Sequence, residues 1–166
     1  MTTHAVDASR TRAPAGPLMW LGFVVLCNGV GFLSSLTGRM GLYQELVRPS
    51  WAPPAWIFGP VWAALYTMMA TATYLVWRHT SGARRRTAMT VFAIQLALNC
   101  AWTPVFFGLE QLFAGFLVIV AVWCAVLAMT IVYARRDRVA GALVVPLLCW
   151  VGFAGALNAA VWWLNR

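Results

Sequence analysis

Gln95, Asn99 and Trp102 follow one another at i, i+4 and i+7, so a helix would carry all three on one face. Two neutral amides beside an indole can donate and accept hydrogen bonds and can stack on a flat ring. They cannot relay protons or hold an ion by charge. On the roughly opposite face, Ala93, Ala97 and Ala101 recur at i, i+4 and i+8, a small-xxx-small surface suited to close helix contact or to a homodimer interface. Asn28 and Asn158 lie in other apolar stretches and offer the same amide chemistry. Uncharged amides also serve as interhelical glue, and both readings stand on spacing alone.

Tryptophan is the second signal, with ten in 166 residues. Trp20, Trp51, Trp56, Trp77, Trp162 and Trp163 fall near the ends of apolar segments, where an aromatic belt at the membrane surface explains them. Trp62, Trp102, Trp123 and Trp150 fall deeper, in four different segments. A deep indole needs a partner for its N–H or a surface to pack on. A stacked flat ligand and ordinary packing both supply one. The stretch RPSWAPPAWIFGPVW, from Arg48 to Trp62, adds prolines to the indoles. Pro53 and Pro54 suit a helix start, and Pro60, Pro104 and Pro146 would kink helices and open gaps between them.

Several chemistries are missing. The two histidines, His4 and His79, lie outside the apolar segments, so no imidazole is placed to ligate haem iron within a membrane. No acidic or basic side chain interrupts those segments, and no Gly-rich phosphate loop or Ser/His/Asp set occurs. An ion pump, a conventional hydrolase and a b-type cytochrome are therefore poorly supported. The four cysteines, Cys27, Cys100, Cys124 and Cys149, show no C-x-x-C and read as small hydrophobes.

The elements that must position these residues are membrane helices. The chain is 62% hydrophobic and only 10% charged, too little polar surface to cover a soluble domain. Five runs are long enough to span a bilayer, at about 17–37, 54–77, 87–108, 112–134 and 141–163. The expected fold is an all-α integral membrane protein, a five-helix transmembrane bundle over residues 17–166 with a flexible tail at 1–16. Arg10 and Arg12 before the first run resemble a cleavable leader. Its apolar stretch is long for one and no small-x-small site follows, so it is read as a retained helix. The brief turn at Glu110 and Gln111 predicts a tight antiparallel pair of the third and fourth helices.

All twelve cationic residues are arginine, against four carboxylates. Such a balance can mark a nucleic-acid binder, but position argues for topology and for no nucleic-acid partner. With five helices, one face carries Arg10, Arg12, Arg78, Arg84, Arg85, Arg86, Arg135, Arg136 and Arg138, and the other only Arg39, Arg48 and Arg166. In an inner membrane this split puts the amino terminus in the cytoplasm and the basic face against anionic lipid.

These residues resemble the tryptophan-rich sensory protein / translocator protein family, once called peripheral benzodiazepine receptors. The resemblance covers about residues 20–165. The family pattern W-x-P-P-x-W-x-F-x-P-V-W-x-x-L-Y is met from Trp51 to Tyr66, and Q-L-x-L-N-x-x-W-x-P-x-F-F-G from Gln95 to Gly108. A third, a proline four residues before a tryptophan and then A-x-x-L-N, is met by Pro146, Trp150, Ala154, Leu157 and Asn158.

The resemblance implies a dimeric five-helix bundle with a pocket toward the first loop. It implies a sensor or translocator that binds protoporphyrin IX or a related tetrapyrrole and requires no cofactor. Sterol-like and isoquinoline or benzodiazepine-type ligands are also implied. The expected ligand-binding set is Tyr43, Trp51, Trp62, Tyr66, Gln95, Asn99, Trp102, Trp123, Trp150, Ala154, Leu157 and Asn158. Light-dependent porphyrin degradation is the alternative, with Trp62 and Trp150 as its catalytic residues, and a signalling scaffold is a third. The family's sterol segment has an aromatic after L-N and a basic residue a turn later. Here Ala159 and Trp163 stand near those places, which argues against a sterol there. A loose sterol pattern also occurs at Leu127, Tyr133 and Arg135.

Overall fold

Pro17 opens the first helix, α1 (Pro17–Ser35), where its missing N–H would have had no helical partner. The computed structural model describes residues 16–39 and 41–166. A single helical turn, α2 (Leu42–Glu45), sits in the segment read above as a loop. A 3-10 turn, Ala55–Ile57, leads into α3 (Phe58–His79). Helix α4 (Gly82–Thr103) runs on through a π-helical turn, Pro104–Gly108. Then come α5 (Leu112–Ala134) and α6 (Arg138–Leu164). No strand occurs among the described residues. Among the described residues, five helices are long and apolar enough to cross a membrane. Apart from Gly16, the expected tail at 1–16 lies outside the described residues.

The helix starts differ from the apolar runs for local reasons. Helix α4 begins at Gly82, not near 87, and includes Arg84, Arg85 and Arg86. Arginine is a good helix former, so charge ends an apolar run without ending a helix. Arg85 also anchors the start, its Nε donating to the Thr80 carbonyl at 2.9 Å with the guanidinium 4.4 Å from the Trp77 ring centre. Helix α6 begins at Arg138 because the Asp137 carboxylate caps it, accepting from the Ala140 N–H at 3.0 Å. Pro54 precedes the 3-10 turn, and Pro60 falls in the first turn of α3, where a missing donor costs no helical bond.

Pro104 cannot donate to the carbonyl of Cys100, four residues earlier. The Ser34 hydroxyl of α1 donates to that carbonyl at 2.7 Å, so the end of α4 is completed by another helix. Lower in the bundle α1 is laced to α3, with Trp20 Nε1 donating to Thr71 Oγ1 at 3.0 Å and Asn28 Nδ2 to Thr67 Oγ1 at 3.2 Å.

The core lies among α3, α5 and α6, around fully buried Met69, Val122, Met129, Val144 and Val151. Helix α5 packs against α4, as its short turn predicted, but more extensively against α6. The reason is Gly141, where a Cβ would stand 2.6 Å from the Ala134 Cα. His79 Nδ1 and Asp137 Oδ2 lie 2.6 Å apart, joining the end of α3 to the α5–α6 turn at the arginine-rich end.

Candidate ligand-binding cavity

Three helices each present a helical face to one space at the opposite end of the bundle. From α1 come Asn28, Gly31 and Ser35; from the start of α3, Gly59, Trp62, Ala63 and Tyr66; from α6, Ala154, Leu157, Asn158 and Val161. Each set repeats at helical spacing. Asn99, Trp102 and Thr103 close the α4 side together with Phe106 and Phe107 of the π-helical turn, and Tyr43 and Gln44 of α2 form the roof. The space measures about 800 Å³, toward the upper end of the roughly 300–1,000 Å³ of small-molecule sites. No charged side chain is among its described lining residues.

Its polar groups differ in how well they are satisfied. Tyr43 donates its phenol to the Pro53 carbonyl at 2.9 Å. Trp102 Nε1 donates to Asn158 Oδ1 at 3.3 Å, and Asn158 Nδ2 donates in turn to the Ala154 carbonyl at 3.0 Å. Asn99 is the exception: it is 4% exposed and its Nδ2 has no partner. One turn earlier Gln95 is fully buried with neither amide atom paired, although it does not line the cavity. An unpaired buried polar group costs on the order of 1–3 kcal/mol, so the floor of the cavity holds unspent hydrogen-bonding capacity.

The aromatic walls are ordered. Trp102 stacks on Phe106 with centroids 5.2 Å apart and planes 23° from parallel, and meets Phe107 edge-on at 5.6 Å. Trp62 lies 5.4 Å from Tyr66 at 33°. Such pairs fix ring orientation and leave π-faces available to a planar guest.

Of the expected ligand set, the cavity gathers Tyr43, Trp62, Tyr66, Asn99, Trp102, Ala154, Leu157 and Asn158. Trp51, Gln95, Trp123 and Trp150 stand outside it. Trp51 is half exposed and meets Phe153 edge-on at 5.8 Å. Trp123 of α5 is 37% exposed, with its indole beside Gly152 of α6. Trp150 packs on Phe58, a lining residue, at 6.0 Å, and its buried Nε1 has no partner. Trp62 and Trp150, the expected catalytic pair, therefore do not share one chamber.

The sterol-type pattern fares differently. Tyr133 is fully buried and its phenol lies 3.0 Å from Thr73 Oγ1, so it turns away from lipid. All four cysteines are free, with Cys124 and Cys149 exposed rather than buried. Sequence reasoning missed Gly31, Phe32 and Ser35, although the 28–31–35 spacing of small and polar residues in α1 carried the signal.

An uncharged aromatic chamber inside a bundle of membrane-length helices defines a multi-pass membrane protein with a small-molecule-sized site. Residues 23–164 match the TspO/MBR family, and the chain belongs to that family. It is 40% identical over 147 residues to "Tryptophan-rich protein TspO" of Chlorobaculum tepidum, covering 84% of this chain and 91% of that one. It is 36% identical over 148 residues to "Protein CrtK" of Rhodobacter capsulatus, covering 86% and 90%. Against human "Translocator protein" the identity is 38% over 122 residues, 72% of each chain. The fold is accordingly a five-helix integral membrane bundle set in a lipid bilayer.

Proposed function

We propose that this chain is a membrane sensor or translocator whose cavity takes a flat, apolar tetrapyrrole such as protoporphyrin IX. The observation that carries the reading is the unpartnered Asn99 amide in an uncharged, aromatic chamber. A macrocycle would stack against Trp62 and Trp102 while a polar edge accepts from Asn99 Nδ2, satisfying a donor that protein packing leaves open. The names of its relatives, tryptophan-rich protein and translocator protein, support a sensing or translocating role. No imidazole, thiol or carboxylate is among the described lining residues, which favours a free-base ring over ligated haem.

The same reading makes the protein a homodimer through Ala93, Ala97 and Ala101, all exposed on α4. In an inner membrane the arginine-rich end faces the cytoplasm, so the cavity sits toward the opposite side. The test is a titration with protoporphyrin IX in the dark, followed by quenching of indole fluorescence. Saturable quenching supports the reading, and quenching that only rises linearly overturns it.

A further inference from the structure

The described part of the chamber's roof is fastened, and one side of the chamber is exposed. Above it, Arg39 Nη2 pairs with Glu45 Oε2 at 2.7 Å and Arg39 Nε with Glu110 Oε1 at 3.3 Å, tying the loop after α1 to the α4–α5 turn. The Arg39 N–H donates to the Phe107 carbonyl at 3.0 Å, which seats the same loop on the π-helical turn. At the far end of the loop, Asn165 grips Val47 on both backbone groups, accepting from its N–H at 3.0 Å and donating to its carbonyl at 2.9 Å. With Tyr43 held to Pro53, the described part of the roof is fastened along its length.

The side wall behaves differently along its height. Below, Trp20–Thr71 and Asn28–Thr67 bond α1 to α3. At Gly31 the α1 backbone meets the Tyr66 ring so closely that a Cβ there would overlap it. Above this point no hydrogen bond joins α1 to the start of α3 among the described residues. There the lining residues are exposed: Phe32 at 65% and Trp56 at 73%, with Ala55, Gly59 and Ala63 between. Lining residues of α6 such as Ala154, Leu157 and Val161 are buried. The helices are thus joined by hydrogen bonds below Gly31, and above it their cavity-lining residues are exposed.

From this geometry we infer that ligands reach the chamber sideways, from the lipid, through the cleft between α1 and the start of α3. This rests on the ligand-binding reading above and adds the route and the kind of molecule it admits. The cleft from Ala63 to Ala55 is roughly 12 Å tall at about 1.5 Å per residue, close to the roughly 15 Å of one hydrocarbon leaflet. Its edges are small, at Gly31, Ser35, Gly59 and Ala63, and its flanks are the rings of Phe32 and Trp56. A thin, flat molecule already dissolved in that leaflet fits the slot edge-on. A water-soluble or bulky one meets the fastened roof instead.

Stopped-flow mixing of protein in lipid nanodiscs with protoporphyrin IX, read in the dark by indole quenching, tests the route. Gly59→Phe and, independently, Ala63→Phe place a ring in the slot. No heavy atom lies within 4 Å of a Cβ built at Gly59, so the added group does not strain the helix there. The expected result is that association and dissociation rates both fall about tenfold or more, the mark of a narrowed path. Asn165→Ala, which loosens the roof away from the cavity lining, leaves both rates where they were. The inference is overturned if Asn165→Ala speeds both rates while the phenylalanines leave them alone. It is also overturned if the phenylalanines raise only the dissociation rate, since that marks damage to the site. Absence of saturable quenching in the wild type sinks the ligand reading itself and is distinguishable from either result.

Discussion

Ser34 Oγ donates to the carbonyl oxygen of Cys100 at 2.7 Å, and Cys100 is the residue whose helical donor Pro104 removes. One hydroxyl on α1 therefore compensates a proline on α4, at the edge of the cavity that Thr103 and Phe106 line. Ser34→Ala should cost about 1–3 kcal/mol by leaving a partly buried carbonyl without this donor. In a Pro104→Ala background, where an N–H returns to position 104, the same change should cost clearly less. A double-mutant cycle on detergent unfolding measures this, and equal costs in both backgrounds would break the link.

At the other end, Asp137 caps α6. Its carboxyl is held below the usual carboxylate range, first by the Ala140 N–H, and the His79 ring adds to this, while burial opposes both. Because the folded pKa is depressed, this contribution is present above the unfolded value of about 3.9 and is lost as pH falls through the folded one. Asp137→Ala should destabilise at pH 7 by about 0.5–2 kcal/mol, the range for a lost cap. Asp137→Asn keeps an acceptor and should flatten the stability loss below about pH 4. Parallel acid limbs for wild type and Asp137→Asn would show that this group does not titrate with folding.

The periodicity of one helix was fully legible. Gln95 and Asn99 are buried and Ala93, Ala97 and Ala101 exposed, as their opposite stripes on α4 predict. The three long motifs likewise led to Trp62, Asn99, Trp102, Ala154 and Asn158 on the cavity wall. Trp123 and Trp150 do not line this cavity, because position along a membrane helix gives depth but not direction. Helix α5 is apolar on every side, so nothing in its sequence says which face meets lipid. The early start of α4 was hidden because Arg84, Arg85 and Arg86 end the apolar run while continuing the helix.

The exposed alanine stripe yields a prediction about assembly. Ala97→Leu should weaken the proposed dimer by filling the space through which two α4 backbones approach. Analytical ultracentrifugation in detergent reads this as a higher dissociation constant. A dimer of unchanged strength would put the interface on another surface.

Topology follows from the arginine split. In an inner membrane, a reporter inserted at Gly82, beside Arg84, Arg85 and Arg86, should be cytoplasmic, and one fused after Arg166 should be extracytoplasmic. Both on the same side would contradict five crossings.

On the ligand-binding reading the open Asn99 amide is the polar anchor of a stacked tetrapyrrole, and Asn99→Leu removes that anchor alone. Dark titration with protoporphyrin IX should give saturable indole quenching in the wild type. Asn99→Leu should bind more weakly by about 1–3 kcal/mol, roughly 5- to 150-fold in Kd, the cost of one buried polar contact. Circular dichroism and the unfolding midpoint should confirm that the variant is folded. A folded Asn99→Leu protein that binds protoporphyrin IX as tightly as the wild type would show that Asn99 does not anchor the ligand.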